Sequence, residues 1–265
     1  MIKLAIVSSK KYLKSKQAVA LISYLDEQKI YYEKILVDSE IENIQSEKDV
    51  DLIISVGGDG TALKAMTLGW NQSVPVLNLG SGRVGYLVNS LENIDFDSVI
   101  NQNFKYFKNR TPIIQNNNEK QPAFNEIVLI KNAPTRMLDM QIETYNQKVK
   151  VRADGLIISS SLGSTAYNYS AGGPIVQTSI ESLIITPISP FTKFPRSIVL
   201  DGKSKIRITI FKNQDFSIQF DGAEVIEGKE QEDMNFDYRL SKNELKVLEE
   251  SDNPKLDHFL NQILR

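Results

Sequence analysis

The chain has 265 residues, 41% hydrophobic and 24% charged, and its 31 basic and 33 acidic side chains leave a net charge of −2. That balance fits a soluble globular protein of one large domain or two ordinary ones, and it offers no field to attract nucleic acid or an anionic membrane. Cysteine is absent and histidine occurs once, at His258, which excludes disulfides, thiolate nucleophiles and cysteine zinc sites and argues against a Ser-His-Asp triad or a histidine metal cluster.

Ile2 to Val7 predicts a first strand, with no apolar core or cleavage site of a signal peptide. No apolar run approaches the ~20 residues that span a bilayer, so a cytoplasmic protein is the expectation. Ala18, Leu21, Ile22 and Leu25 recur at helical spacing and predict a helix from about Lys16 to Gln28. Tyr31 to Val37 reads as a second strand, and the acidic stretch Asp38 to Asp49 as a loop with a short helix. Leu52-Ile53-Ile54 and Val56 form an apolar run without alternation, the pattern of a strand covered on both faces.

That run breaks into Gly57-Gly58-Asp59-Gly60-Thr61. The glycines let a ligand approach the backbone, Thr61 is a candidate cap, and a helix is predicted from Ala62 to Leu68. A strand, a glycine turn and a helix N-terminus bring several N–H donors to one point, which suits a phosphate. Asp59 would repel that phosphate unless it holds a metal ion or takes a proton from an attacking hydroxyl. The plainer alternative is an exposed carboxylate in a tight turn. Val74 to Leu79 predicts the next strand, and Gly80 to Leu87 a second glycine-rich loop. Strands alternating with helices imply a parallel sheet with helices on its faces.

From about residue 100 the runs shorten. Strands are predicted at 127–130, 137–145, 149–152, 155–159, 182–185, 197–200, 206–211, 216–220 and 224–226, separated by polar turns. The expected organisation is an N-terminal α/β domain over 1–98, Rossmann-like with a parallel sheet, and a β-rich, sandwich-like domain over 99–249. The apolar stripe Leu256, Phe259, Leu260, Ile263 and Leu264 predicts a last helix. The segment of about 250–265 is expected to pack back on the first domain.

Two polar stretches in the second half invite a ligand. One is Asn125-Glu126 ahead of a strand. The other runs from Arg152-Ala153-Asp154-Gly155 through Gly163-Ser164-Thr165-Ala166-Tyr167 to Ser170-Ala171-Gly172-Gly173-Pro174. Small residues admit a ligand to the backbone, hydroxyls pair with its polar edges, and Tyr167 offers a flat face. A capped helix N-terminus with a half-buried tyrosine explains part of the second stretch, but not its hydroxyl density.

In order and separation, these motifs and the glycine turn resemble the NAD kinases. The likeness extends to Gly82 to Leu87, Thr186-Pro187-Ile188-Ser189-Pro190 and Asp221-Gly222, and covers nearly the whole chain. The resemblance implies a phosphofructokinase-like first domain and transfer of the γ-phosphoryl of ATP, or of a phosphoryl from polyphosphate, to the 2′-hydroxyl of the adenosine ribose of NAD, giving NADP. It implies Mg²⁺ carried mainly by the phosphate donor, and a homodimer or homotetramer. Asp59 would be the catalytic carboxylate, and Gly58, Gly60, Thr61, Lys64 and Tyr86 would line its half of the site. Asn125 and Glu126 would hold ribose hydroxyls and base edges. Arg152 and Asp154 would line the dinucleotide pocket, and Thr165, Ala166, Tyr167 and Ser170 would surround adenine. The chain departs from the family pattern at Leu162, Phe191 and Ala223, where a hydroxyl, a histidine and a glutamine are common. Lipid kinases share the glycine turn, but the hydroxyl-rich run favours a polar acceptor over an apolar one. A non-catalytic NAD(P)-binding sensor is the other alternative, and it has no need of Asp59.

Overall fold

A computed structural model describes residues 2–37, 49–80, 85–90, 94–101, 103, 106–145, 147–191, 196–228 and 231–249. Residues 38–48 of the stretch expected to hold a short helix, residues 81–84 of the second glycine loop, and the terminal helix with His258 lie outside these residues. The chain divides into two compact units, Met1–Arg110 with Glu244–Arg265, and Thr111–Asn243.

In the first unit the elements run β1 (Lys3–Ser8), α1 (Lys16–Glu27), β2 (Tyr31–Leu36), β3 (Leu52–Gly57), α2 (Asp59–Gln72), β4 (Val76–Gly80), α3 (Phe96–Ile100) and β5 (Phe107–Arg110). The sheet order is β2-β1-β3-β4, then a strand from late in the chain, Leu245–Leu248, then β5. The first four strands and Leu245–Leu248 pair in parallel, and β5 is antiparallel. Every residue of β3 is buried, because a helix covers each face. On one face Leu4, Ile6, Ile54 and Val56 pack with Ala18, Leu21 and Leu25 of α1. On the other, Gly69 of α2 lies so close to Val76 that a Cβ there would overlap the valine. Each fully buried Leu or Ile contributes roughly 1.5–3 kcal/mol. β1 is followed by β2 on one side and, through β3, by β4 on the other. The strand order therefore reverses between β1 and β3, and ligands of such sheets bind at the carboxyl ends of the strands at that point. Ser8 and Gly57 end those two strands, with the Ser8 hydroxyl bonded to the Val56 carbonyl at 2.7 Å.

The second unit contains β6 (Ile113–Gln115), β7 (Glu126–Lys131), β8 (Leu138–Thr144), β9 (Gln147–Ala153), β10 (Gly155–Ser160), the short helix α4 (Tyr167–Ser170), β11 (Ser182–Ile188), β12 (Ile198–Asp201), β13 (Ile206–Ile210), β14 (Phe216–Phe220), β15 (Ala223–Gly228) and β16 (Met234–Leu240). They form two antiparallel sheets, β12-β11-β10-β7-β14-β15 and β6-β16-β13-β8-β9. Their inner faces make one core, in which Ile127, Ile158 and Ile218 meet Met140, Ile208 and Tyr238. Phe216 and Phe236 cross edge to face with ring centroids 6.1 Å apart. The outer face of the six-stranded sheet is also covered: Thr186 of β11 donates to Asn168 at 2.7 Å, which places the 161–176 segment over β10 and β11.

An α/β unit with a parallel sheet and a β-rich, sandwich-like unit match the expected fold class. No described helix is long and apolar enough to cross a membrane.

Candidate functional site

The glycine turn of the first unit differs from its sequence reading in one respect. Helix α2 starts at Asp59 rather than Ala62, and its N-cap is Gly58, which has no side chain to cap with. Thr61 is not the cap; it is buried in the first turn, against Gly57, where a Cβ would overlap its hydroxyl. An uncapped helix start leaves its first N–H groups for a ligand. A Cβ at Gly58 or Gly60 would meet nothing within 4 Å, so these two glycines face open space and the packing of the unit does not require them.

Asp59 is half-buried and held from the second glycine loop. Its Oδ2 accepts from the Tyr86 amide and its Oδ1 from the Leu87 amide, both at 3.0 Å. A Cβ on Gly85 would overlap the same carboxylate, so Gly85 makes the room in which Asp59 lies. Two amides fix one carboxylate in a single orientation. The Tyr86 phenol is pushed up by burial, with Arg110 opposing and Glu249 adding to the rise. Lys64, one turn along α2, donates to the Val37 carbonyl at 2.9 Å, beside the end of β2.

In the second unit the segments around Asn125 and Gly163 are locked together. The Ser160 amide bonds the Asn125 carbonyl at 2.9 Å. The Ser160 hydroxyl donates to the Phe124 carbonyl at 2.6 Å and accepts from the Gly163 amide at 3.1 Å. Gly163 lies on the Asn125 backbone, so close that a Cβ would overlap three of its atoms. Asn168, buried, ties Ser164 and Pro174 by their carbonyls at 3.0 Å each. Thr165 and Ala166 are half-buried on the surface of this knot, and Tyr167 (38% exposed) and Ser170 are exposed. Leu162 is buried.

Glu126 is 7% exposed on the outer face of β7, and its Oε2 has no hydrogen-bond partner among the described residues. The Tyr167 amide donates to its carboxyl. Burial, and then the neighbouring Asp221 charge, push Glu126 up to about 8. Burial likewise pushes Asp221 up to about 6, against the pull of three backbone amides. Both carboxyls therefore hold their protons more tightly in the native state than in the unfolded chain, and stability declines as pH rises from the ordinary carboxyl range, about 4, through these raised values. Glu126→Gln is expected to flatten that decline. In urea unfolding it should be near wild type at about pH 5 and more stable on the order of 2 kcal/mol at about pH 8.5. An equal difference at both pH values would contradict the raised Glu126.

Thus Asn125, Glu126, Thr165, Ala166 and Tyr167 are brought together, and Ser170 ends the short helix that follows. Arg152 and Asp154 stand apart from them in the described contacts. Arg152 is exposed and pairs with Asp139 across β8 and β9 at 3.5 Å, and Asp154 pairs with Lys131 at 2.6 Å. Sequence reasoning passed over Asp221, Ser160 and Asn168 as site-forming residues. Asp221-Gly222 enters the sequence reading only as part of the family likeness, with no role given to the carboxylate. Among the described residues no three His, Asp or Glu side chains converge to hold a metal ion.

Residues 8–106 match the ATP-NAD kinase N-terminal domain and residues 124–249 the ATP-NAD kinase C-terminal domain. The NAD kinase of Methanothermobacter thermautotrophicus is 36% identical over 191 residues, 71% of this chain and 66% of that protein. The NAD kinase of Flavobacterium johnsoniae is 34% identical over 198 residues, 69% of this chain and 67% of that protein. The chain therefore spans about two thirds of the length of these two relatives. The crystal structure of an NAD kinase from Archaeoglobus fulgidus in complex with ATP superposes with a TM-score of 0.77 at 24% identity, covering 99% of this chain and 97% of that one. At that identity the likeness is one of fold.

Proposed function

Because this chain belongs to the NAD kinase family, we propose that it transfers the γ-phosphoryl group of ATP, or a phosphoryl group of polyphosphate, to the 2′-hydroxyl of the adenosine ribose of NAD, giving NADP. The observation that carries this reading is the Asp59 carboxylate. It is fixed by two amides at an uncapped helix N-terminus, next to glycines that face open space.

The chemistry follows from that placement. Phosphoryl transfer has a loose transition state, so positioning and charge neutralisation supply most of the catalysis. Asp59 orients the 2′-hydroxyl and takes its proton late, as the bond to phosphorus forms. The N–H groups at the uncapped start of α2, at Gly58 and Gly60, receive phosphate oxygens beside Thr61, whose own amide is taken by the Gly58 carbonyl at 3.0 Å, and Lys64 adds a positive charge one turn on. Asn125 and Glu126 hold ribose hydroxyls and base edges. Thr165, Ala166 and Ser170 border the adenine, on which Tyr167 stacks; Arg152 and Asp154 are assigned to the dinucleotide on the resemblance alone. A Mg²⁺ ion carried by the phosphate donor would supply charge neutralisation, in keeping with the preference of that ion for phosphate oxygens over all-protein cages. The working form on this reading is a cytoplasmic homodimer or homotetramer.

The test is incubation with ATP, Mg²⁺ and NAD, with NADP read by an NADP-specific dehydrogenase. NADP formation is the expected result. Binding of NAD without NADP would replace the kinase by a sensor, and phosphorylation of a lipid alone would replace the acceptor.

A further inference from the structure

Two-residue hairpin turns with positive φ at both positions are served by Asn-Gly, Asp-Gly or Gly-Gly. The β14–β15 turn has Asp221 at φ 50° and Gly222 at φ 81°, so the turn itself does not need a carboxylate. Yet the Asp221 side chain is directed inward. Its Oδ2 accepts from the Phe124 amide at 2.8 Å, and its Oδ1 from the Asn125 amide at 2.7 Å and the Glu126 amide at 3.2 Å. Three successive N–H groups converging on one carboxylate fix the direction of three peptide planes, and with them the exit vectors of the Asn125 and Glu126 side chains.

The same carboxylate is the charge acting on Glu126. Glu126 pairs with Ser159 on β10, receives the Tyr167 amide from the loop above, and meets Asp221 from the β14–β15 turn. Two buried carboxyls close enough to feel each other's charge do not both ionise readily. The three amides favour the charge on Asp221, whose pKa stays near 6, while Glu126 is raised to about 8. With Asp221 raised to about 6 and Glu126 to about 8, Glu126 is the one of the pair that holds its proton at neutral pH, and its Oε2 has no hydrogen-bond partner among the described residues.

We propose that Asp221 is a positioning residue: its carboxylate gathers three amides and aims the turn that carries Asn125 and Glu126 at the dinucleotide, and its charge adds to burial in favouring a neutral, hydrogen-donating Glu126 there. A neutral Glu126 both donates to and accepts from a ribose or base edge. It also spares an anionic pyrophosphate ligand a second buried negative charge. The inference rests on the reading of this unit as an NAD site.

The test is the dissociation constant of NAD by titration calorimetry, without phosphoryl donor, for wild type, Asp221→Asn and Glu126→Gln between about pH 6 and about pH 9. Wild type is expected to lose affinity as pH rises past about 8, the value to which Glu126 is raised. Asp221→Asn, which keeps an acceptor but no charge, is expected to bind about tenfold more weakly at pH 7. Its loss of affinity should also begin at a lower pH, because burial alone, without the Asp221 charge, then raises Glu126. Glu126→Gln is expected to show no such decline. An Asp221→Asn protein that is less stable but keeps the wild-type break in pH has lost only a structural contact, and that result overturns the proposal. If Asp221→Asn does not fold, the Glu126→Gln profile decides, and a persisting decline overturns it. A wild-type protein that does not bind NAD overturns the proposed function, and this inference with it. One that binds NAD but makes no NADP overturns only the kinase reading.

Discussion

Asp59→Asn is expected to retain NAD binding and to lose NADP formation by roughly 10²–10⁴-fold, the range for removal of a group that handles a proton in the transition state. The variant keeps the size of the side chain but has one acceptor oxygen where Asp59 uses two, one for Tyr86 and one for Leu87. One amide is then left facing an NH₂ group, at a stability cost of roughly 1–3 kcal/mol. Turnover and thermal unfolding measured on the same preparation separate the two effects. A variant with a normal fold and near-normal turnover would remove Asp59 from the reaction.

Gly163→Ala has the second large expected effect, and it acts through packing. A Cβ at this position overlaps the carbonyl oxygen, carbonyl carbon and Cα of Asn125. Those are backbone atoms, tied to Ser160 by the amide bond at 2.9 Å, and they have no rotamer through which to yield. Overpacking of this kind costs typically ~1–3 kcal/mol, and the upper end is expected here. The displaced turn carries Asn125 and Glu126, so NAD affinity should fall about tenfold as well. Gly58→Ala is the contrast: a Cβ there meets nothing within 4 Å, and the fold should tolerate it. Urea unfolding of both variants reads the difference, and equal midpoints would contradict the close approach of Gly163 to Asn125.

Much of the fold was legible because its strongest signals are local. The unalternating run from Leu52 to Val56 is buried throughout, as a strand covered on both faces must be. The helical spacing of Ala18, Leu21 and Leu25 yielded α1 to within a residue or so of its observed ends. In the second unit Leu138–Thr144 and Ile206–Ile210 alternate clearly enough to be read as strands. β5, β6, β16 and Leu245–Leu248 were not. Three of them have only three or four residues; Met234–Leu240 alternates apolar and polar residues as a half-buried strand does, so its pattern was there to be read. The return of Leu245–Leu248 to lie parallel with β4 is a pairing across more than half the chain, which no local pattern encodes.

The residue types of the candidate site stand out in the sequence, and the groups that support them do not. Gly57 to Thr61 announced a turn with a carboxylate, but the start of α2 was misplaced. A capping rule looks for a side chain, and the N-cap of this helix is Gly58, which has none. Asn125-Glu126 could pass for an ordinary polar turn in the sequence. In the structure Asp221, 95 residues further on, receives the Glu126 amide, and the amides of Phe124 and Asn125 as well. Polar side chains buried against distant backbone leave little mark on composition or periodicity, which is why Asp221 and Asn168 emerge only from the three-dimensional arrangement.

The most direct measurement is phosphorus NMR of NAD incubated with the protein, ATP and Mg²⁺. The expected result is a new phosphomonoester resonance at the adenosine 2′-oxygen of the dinucleotide, growing in step with ADP and lost in Asp59→Asn. Release of ADP with no phosphorylated dinucleotide, or a phosphate on any other oxygen of NAD, would contradict the assignment of the 2′-hydroxyl as the acceptor that Asp59 orients.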